Sequence, residues 1–512
     1  MINTGSRTTN AIRNILSGII VRIIEQSVAF IVRTVLIHKM GSDYVGLDSL
    51  FVSILQVLSM AELGFSSAII FKLYKPIAEN DIKEICSWLS IYRIVYLVIG
   101  TVILCFGLVI LPFVRLLIKG EYPHDINIYF LFAVYLVNVV VSYYSFAYKS
   151  SILIANQRRD LLNFIEMIVS IIRGFLQVTL LFIFQNYYYY ILLLPISTLG
   201  SNILVNIVCN RYFPSQKAQG KFDLEKFRLI EKPLKGLAIG KISLVARNSF
   251  DSIILSMLFG LTSVTVYSNY YSIFGVAGAM LSIILLALSA GVGNSIATES
   301  IEKNYKDQQR FDFYYMWMVG CFTTCLFCLY QQFMKLWVGE QLMAPLSTMA
   351  LFCIYFYVDK LSGVRALYTE AVGLWWKTKH ITVMEMLANL VLNFFLGRIW
   401  GMNGILIATI VTAFMSSFIG ITKVTFREYF KTGSGEYYCD NSIYLIVTFF
   451  VMLITYTVCR IVEVRIAGNI LSFLICLVTC VIVTNTLFIL IYGCFSKYRN
   501  YMSDIKKYIS LT

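Results

Sequence analysis

The hydrophobic pattern of this chain is a series of long apolar runs parted by short polar breaks. A helix needs roughly 20 consecutive, mostly apolar residues to cross a bilayer. Fourteen runs meet that condition, at about 11–37, 44–71, 85–114, 126–148, 161–184, 187–210, 237–259, 264–298, 311–334, 344–371, 380–400, 403–422, 442–459 and 467–494. Several exceed the length of one crossing, which predicts tilted helices or helices that continue past the hydrocarbon. The first run is too long and too charged for the apolar core of a signal peptide, so a membrane helix is expected there. The expected fold class is an all-α integral membrane protein with about 14 transmembrane helices.

The longest polar break, residues 213–236, contains Pro214 and Pro233 and a concentration of charge. Read as a cytoplasmic linker, it parts an N-lobe of six spans (1–212) from a C-lobe of six spans (237–431), leaving two further spans and a tail in 432–512. An internal repeat supports the division. Displaced by 219 residues, HKMGSDYVGLDSLF lies on SMLFGLTSVTVYSNYY, setting Gly41 on Gly260, Val45 on Val264 and Arg22 on Lys241. Repeats of this kind mark transporters whose two lobes are related by a pseudo-two-fold axis. The last two spans have no counterpart and read as an appendage.

Composition agrees: 58% of the residues are hydrophobic and 14% charged, against roughly a quarter charged in soluble domains. The net charge of +14 lies in short loops and not in a basic domain, so it marks membrane orientation and not nucleic-acid binding. With the N-terminus inside, 28 of the 42 Lys and Arg fall on cytoplasmic segments and 7 on outer loops, which places both termini in the cytoplasm. Cys321, Cys325 and Cys328 have the nearest approach to ligand spacing, but they spread round one apolar helix without a nearby His, so no metal site is expected. GLAIGK (Gly236 to Lys241) is one residue short of a phosphate-binding loop and opens a membrane helix, which argues against nucleotide binding. NYYYYIL (Asn186 to Leu192) and GLWWKTKH (Gly373 to His380) read as interfacial aromatic belts.

The chemistry lies in the charges within the spans. Arg22, Arg33, Arg93, Arg173, Arg247, Lys360 and Arg365 are joined there by Glu25, Asp48, Glu62, Asp251, Asp359, Glu370 and Glu385. Each ionised group at mid-membrane costs about 2.5–3.5 kcal/mol even on the most lenient scale, so these residues are expected to face one another or a wet cavity. Arg22 and Arg33 share a helix face, about 16 Å apart along the axis, with Glu25 one turn from Arg22. Arg247 and Asp251 are i,i+4 neighbours, either a self-neutralising pair or a substrate contact. Arg33 and Arg173 have no opposite charge within a turn of their own helices, which favours a cavity-lining role over helix packing or snorkelling. A cationic cavity implies an anionic ligand, and guanidinium forks fit phosphate. The candidate substrate-binding residues are Arg22, Arg33, Arg173 and Arg247. Glu25, Asp251 and Asp359 are the candidate charge partners or coupling-ion sites.

RNSFDSIILSMLFGLTSVTVYSNYYSIF (Arg247 to Phe274) resembles the seventh and eighth helices of bacterial polysaccharide transporters, the oligosaccharide flippases of the MATE-like superfamily. The blocks Arg33 to Ile69, Phe333 to Pro345 and Gly373 to Val411 are similar to the same family, and the resemblance covers spans one to twelve. Asn248, Asp251, Gly260, Tyr267, Ser268 and Asn269 match its pattern by position; Arg247 does not belong to it. The resemblance implies a flippase for undecaprenyl-pyrophosphate-linked oligosaccharide repeat units in the bacterial inner membrane, serving O-antigen, capsule or exopolysaccharide assembly. It implies alternating access around a central cationic cavity, no enzymatic activity, no cofactor beyond Na+ or H+ as coupling ion, and membrane lipid, polymerase and glycosyltransferases as partners. The alternatives are a multidrug or small-molecule exporter of the same fold and, further off, a polysaccharide polymerase. The short outer loops, about a dozen residues at most, argue against the polymerase, which needs a domain outside the bilayer.

Overall fold

The computed structural model describes residues 7–62, 65–219, 249–466 and 468–511, with the separate positions 227, 242, 245 and 247. Among the described residues there is no β-strand; short turns join many of the helices, and the longer stretch Leu111–Asn127 joins α4 to α5. The order begins α1 (Arg7–Met40), α2 (Ser42–Leu58), α3 (Phe65–Ala78), α4 (Ile82–Ile110), α5 (Ile128–Tyr144), α6 (Ser150–Ala155), α7 (Arg159–Phe184), α8 (Tyr187–Tyr212) and α9 (Ser249–Phe259). It continues with α10 (Leu261–Thr298), α11 (Ile301–Val338), α12 (Leu346–Lys360), α13 (Gly363–Ala371), α14 (Trp375–Trp400), α15 (Met402–Ala413), α16 (Thr422–Thr425), α17 (Gly435–Arg465), α18 (Asn469–Gly493) and α19 (Ser496–Leu511). Polar caps set several starts: Asp81 accepts from the Glu84 amide at 2.9 Å, and Asn127 and Asn186 do the same for α5 and α8.

Each predicted run that lies within the described residues falls on a helix or on helices in tandem. Of the run 237–259 the structure describes chiefly α9, Ser249–Phe259, and most of the linker 213–236 lies outside the described residues. By length and composition, nine helices among the described residues can each cross a membrane, or ten if α5 and its continuation Ala147–Ala155, bent by 49°, count as one. Four of the fourteen predicted runs are not among these: α1, the run 237–259 that lies partly outside the described residues, and two runs that are broken. A 3-10 turn at Ser59–Glu62 splits the run 44–71 into α2 and α3, of 17 and 14 residues. The run 344–371 breaks after Lys360 into α12 and α13, of 15 and 9 residues. Both breaks sit at ionisable residues, Glu62 and the Asp359–Lys360 pair. Backbone freed by a break at membrane depth is tolerated only where protein or water satisfies it.

By contact the chain forms two compact units, Met1–Thr265 and Val266–Thr512. In the first, α1 lies along α7, α7 on α8, and α5 against both α4 and α8. α9 belongs to this unit. Ser249 donates to Gln56 at 3.2 Å, and the Lys119 amide and ammonium donate to the carbonyls of Ser256 and Leu258 at 3.0 and 2.6 Å. In the second unit α11 packs on α12, α17 and α18, so the two last spans are fastened to it.

The internal repeat has a physical counterpart inside the first unit. Gly41 and Gly260, the residues just before α2 and α10, both have positive φ, 101° and 85°. Val45 and Val264 are both buried. The equivalent residues Asp43 and Thr262 touch each other, the hydroxyl donating to the carboxylate at 2.8 Å across a separation of 219 residues. Thr265 donates to the Ser42 carbonyl at 2.6 Å, and the absent side chain of Gly46 leaves room for the Leu261 carbonyl. Two like helix starts therefore meet at one point. Lys241, the counterpart of Arg22, lies outside the described residues.

Candidate functional site

α7 approaches α1 closely because it presents Gly174 at the crossing. A Cβ there would stand 2.4 Å from Val28 Cγ1 and 3.3 Å from Val32 Cγ2. Arg173 precedes that glycine and Arg33 follows Val32, so both arginines flank this crossing. Both interact electrostatically with the carboxylate of Asp48 on α2. All three side chains are half-buried. Two arginines that both act on one carboxylate leave a formal excess of positive charge around it.

Tyrosines hold the carboxylate in position. The Tyr135 hydroxyl on α5 donates to Asp48 and lies 3.2 Å from that of Tyr187, which donates to the Tyr44 carbonyl at 3.3 Å. Tyr190, one turn further along α8, is electrostatically coupled to Arg33 and Arg173, and its carbonyl accepts from buried Gln177 at 3.2 Å. The run NYYYYIL is thus more than an interfacial belt. Tyr187 and Tyr190 are buried, while Tyr189 is exposed. The signal was the i,i+3 spacing, which sets two of the four rings on one helix face.

Glu62, at the break between α2 and α3, has a different environment. Tyr96 donates to its Oε1 at 2.5 Å and Tyr143 to its Oε2 at 2.7 Å, with Tyr92 donating to Tyr96 at 2.9 Å. A carboxylate with a donor on each oxygen is satisfied within the protein.

The remaining candidates are dispersed. Arg22 is exposed on α1, and half-buried Glu25 interacts electrostatically with Glu166 on α7, a carboxylate that sequence reasoning missed. Arg247 and Asp251 are both buried, the acid fully, and each engages other groups. Of the family-pattern positions around them, Tyr267 and Asn269 are also buried, and Asn248 lies outside the described residues. Asp359 forms an ion pair at 2.8 Å with its neighbour Lys360, whose ammonium also lies over the rings of Phe274 and Phe356. Thus, of the four candidate arginines, the structure brings Arg33 and Arg173 together.

Buried Arg365 has a structural occupation. It donates to Thr369 Oγ1 at 3.1 Å and to the Ser417 carbonyl and hydroxyl at 3.1 and 3.2 Å. Ser417 lies in the π-helical turns Phe414–Ile421 that follow α15, and the Tyr438 hydroxyl donates to Ile419 there at 2.9 Å. A π-helical stretch loosens the regular backbone ladder, and these donors reach the carbonyls it presents.

Sequence comparison finds no matching family model and no matching curated protein. Solved structures do match. The "Lipid II flippase MurJ, inward closed conformation" aligns with a TM-score of 0.65 at 15% identity, over 93% of this chain and 98% of that one. The "Inward-facing conformation of a multidrug resistance MATE family transporter of the MOP superfamily" aligns with a TM-score of 0.61 at 13% identity, over 77% of this chain and 92% of the other. The Vibrio cholerae MATE transporter VcmN in the bent form aligns with a TM-score of 0.53 at 14% identity, over 85% and 99%. This multi-pass, all-helical membrane chain has the fold of the MATE-like transporters of the MOP superfamily.

Proposed function

We propose that this protein is a flippase that carries undecaprenyl-pyrophosphate-linked oligosaccharide repeat units across the bacterial inner membrane for O-antigen, capsule or exopolysaccharide assembly. The observation that carries the reading is the convergence of Arg33 and Arg173 on Asp48 at the α1–α7 crossing. Guanidinium forks at that place suit a pyrophosphate, whose oxygens accept paired hydrogen bonds. The likeness to a lipid II flippase, which spans 93% of this chain, supports a lipid-linked cargo.

In this mechanism the lobes 1–212 and 237–431 alternate access to the two leaflets. Arg33 and Arg173 hold the pyrophosphate, Arg22 and Arg247 add cationic character along the path, and the lipid tail stays in the bilayer. Asp48 and its tyrosines orient the guanidinium groups. Glu25, Asp251 and Asp359 serve as charge partners or coupling sites for Na+ or H+, which lets an ion gradient supply the work.

The test is replacement of each arginine in a strain lacking the chromosomal copy. The readouts are lipid-linked repeat units on each leaflet and polymer at the surface, with protein level measured alongside. Arg33→Ala and Arg173→Ala are expected to trap the repeat unit on the inner leaflet. The lysine variants retain part of the output, because an ammonium keeps the charge and loses the planar fork. Full polymer output from the alanine variants of Arg22, Arg33, Arg173 and Arg247 at normal expression overturns the cationic-cavity reading. A second reading, multidrug export, draws support from the MATE-transporter likeness. Vesicles that export a cationic dye without moving lipid-linked oligosaccharide would establish it instead.

A further inference from the structure

We infer that a thiolate metal site is built where α11, α17 and α18 meet, from Cys328, Cys459 and Cys480 with Cys325 as a fourth sulfur. Its ligand is a thiophilic closed-shell cation of the Zn(II), Cd(II) or Cu(I) kind. Along α11, Cys321, Cys325 and Cys328 are spaced i, i+4, i+7 and so share one helix face, not the scattered placement expected from the sequence, but one helix alone supplies too few converging ligands for a metal. Packing changes the ligand set. The Sγ atoms of Cys328, Cys459 and Cys480, one from each of three helices, all lie within 4.8 Å of one another. The Cys325 Sγ stands 3.5 Å from that of Cys480. A zinc–sulfur bond of about 2.3 Å in tetrahedral geometry sets its sulfurs about 3.8 Å apart, so coordination requires only small side-chain movements.

The surroundings select the ion. Cys328, Cys459 and Cys480 are 6%, 1% and 0% exposed, and the partly buried Tyr456, Val462 and Phe473 pack against their cluster. Hard cations that need oxygen ligands find no fit in such a shell, whereas soft sulfur donors favour soft d10 ions. Burial also limits the charge, because an unbalanced ion in an apolar interior is costly. Coordination displaces the thiol proton, so Cys328, Cys459 and Cys480 bind as thiolates and leave one net negative charge on a divalent ion, the smallest imbalance that three ligating sulfurs allow. Each thiolate forms as its Sγ–H bond breaks, the proton passes to water and a metal–sulfur bond forms; no electron changes hands. Entry is short, since Cys459 sits about 9 Å along the axis from the Arg465 end of α17.

Simple packing explains one or two small residues at a helix crossing, but Ala or Ser fills such space equally well. It does not require thiols from three separate helices to converge. Bound metal would fasten α17 and α18 to α11 within the second unit.

The experiment uses the full-length protein in detergent, reduced, stripped with a chelator and titrated with Cd(II). The expected result is a thiolate-to-cadmium charge-transfer band that saturates at one ion per chain. It is lost in the C328S/C459S/C480S variant and kept in C105S/C494S, which removes two exposed thiols. Should the triple variant fail to fold, C480S alone is expected to weaken binding by ~10-fold or more. Absence of a saturating band, or a band unchanged by these serine substitutions, overturns the site.

Discussion

Replacing Gly174 with alanine isolates the crossing that builds the arginine cluster. The new Cβ would meet Val28 Cγ1 at 2.4 Å, well inside van der Waals contact, and Val32 Cγ2 at 3.3 Å. Val28 is β-branched and held in a helix, where its χ1 has one strongly preferred setting, so it has little freedom to swing away. Overpacking of this sort costs about 1–3 kcal/mol. Against it stands the gain in helix propensity from Gly to Ala, about 1 kcal/mol. The net expectation for G174A is a loss of about 1 kcal/mol and a displacement of α7 from α1 that separates Arg173 from Arg33. In a V28A background the Cγ1 contact is gone, and the same change should stabilise by up to about 1 kcal/mol. The cycle formed by G174A, V28A and the double variant therefore carries a coupling of about 2 kcal/mol, within the range measured for touching residues. Unfolding in a graded denaturing detergent supplies the four stabilities, and the leaflet assay run on the same variants tests whether transport follows the crossing. A coupling near zero, with G174A as stable as the parent, refutes the argument that Gly174 sets the α1–α7 distance.

Two further outcomes follow from the first unit. Gly260 has φ of 85° and its Cβ would lie 2.7 Å from the Lys119 carbonyl oxygen, so G260A is expected to cost about 2 kcal/mol or more. A detergent melting temperature equal to that of the parent would contradict this. Y96F and Y143F each deprive one Glu62 oxygen of its donor, an expected loss of about 1–3 kcal/mol apiece, with non-additivity in the double variant because one carboxylate is shared. Changes below about 0.5 kcal/mol, the scatter of surface substitutions, would show that Glu62 is satisfied by other means.

Much of the fold was legible because lipid is a strict solvent. Spanning backbone has to hydrogen-bond to itself, and this made apolar run length a direct readout of helix position. The broken spans were less legible. Ser59–Glu62 and the α12–α13 junction are marked in the sequence only by Glu62 and by Asp359 and Lys360, and ionisable residues also stand inside unbroken helices of this chain, so the breaks show only in the structure. The repeat could be read from Gly41 and Gly260, whose shared positive φ explains why glycine stands at both positions.

By itself, then, the sequence determined the all-α membrane class, the order of the helices, the likeness of two helix starts and the identity of the charges within the spans. Tertiary structure decided which of those charges meet. Arg33 and Arg173 come together through a glycine on one helix and two valines on another. Asp48 and Glu62 find tyrosines 87, 34 and 81 residues away. Four cysteines from three helices gather at one crossing. The physical reason is common to all three cases. Periodicity shows which residues share a face of their own helix, but the partner comes from another helix, and its rotation and distance are settled only by packing.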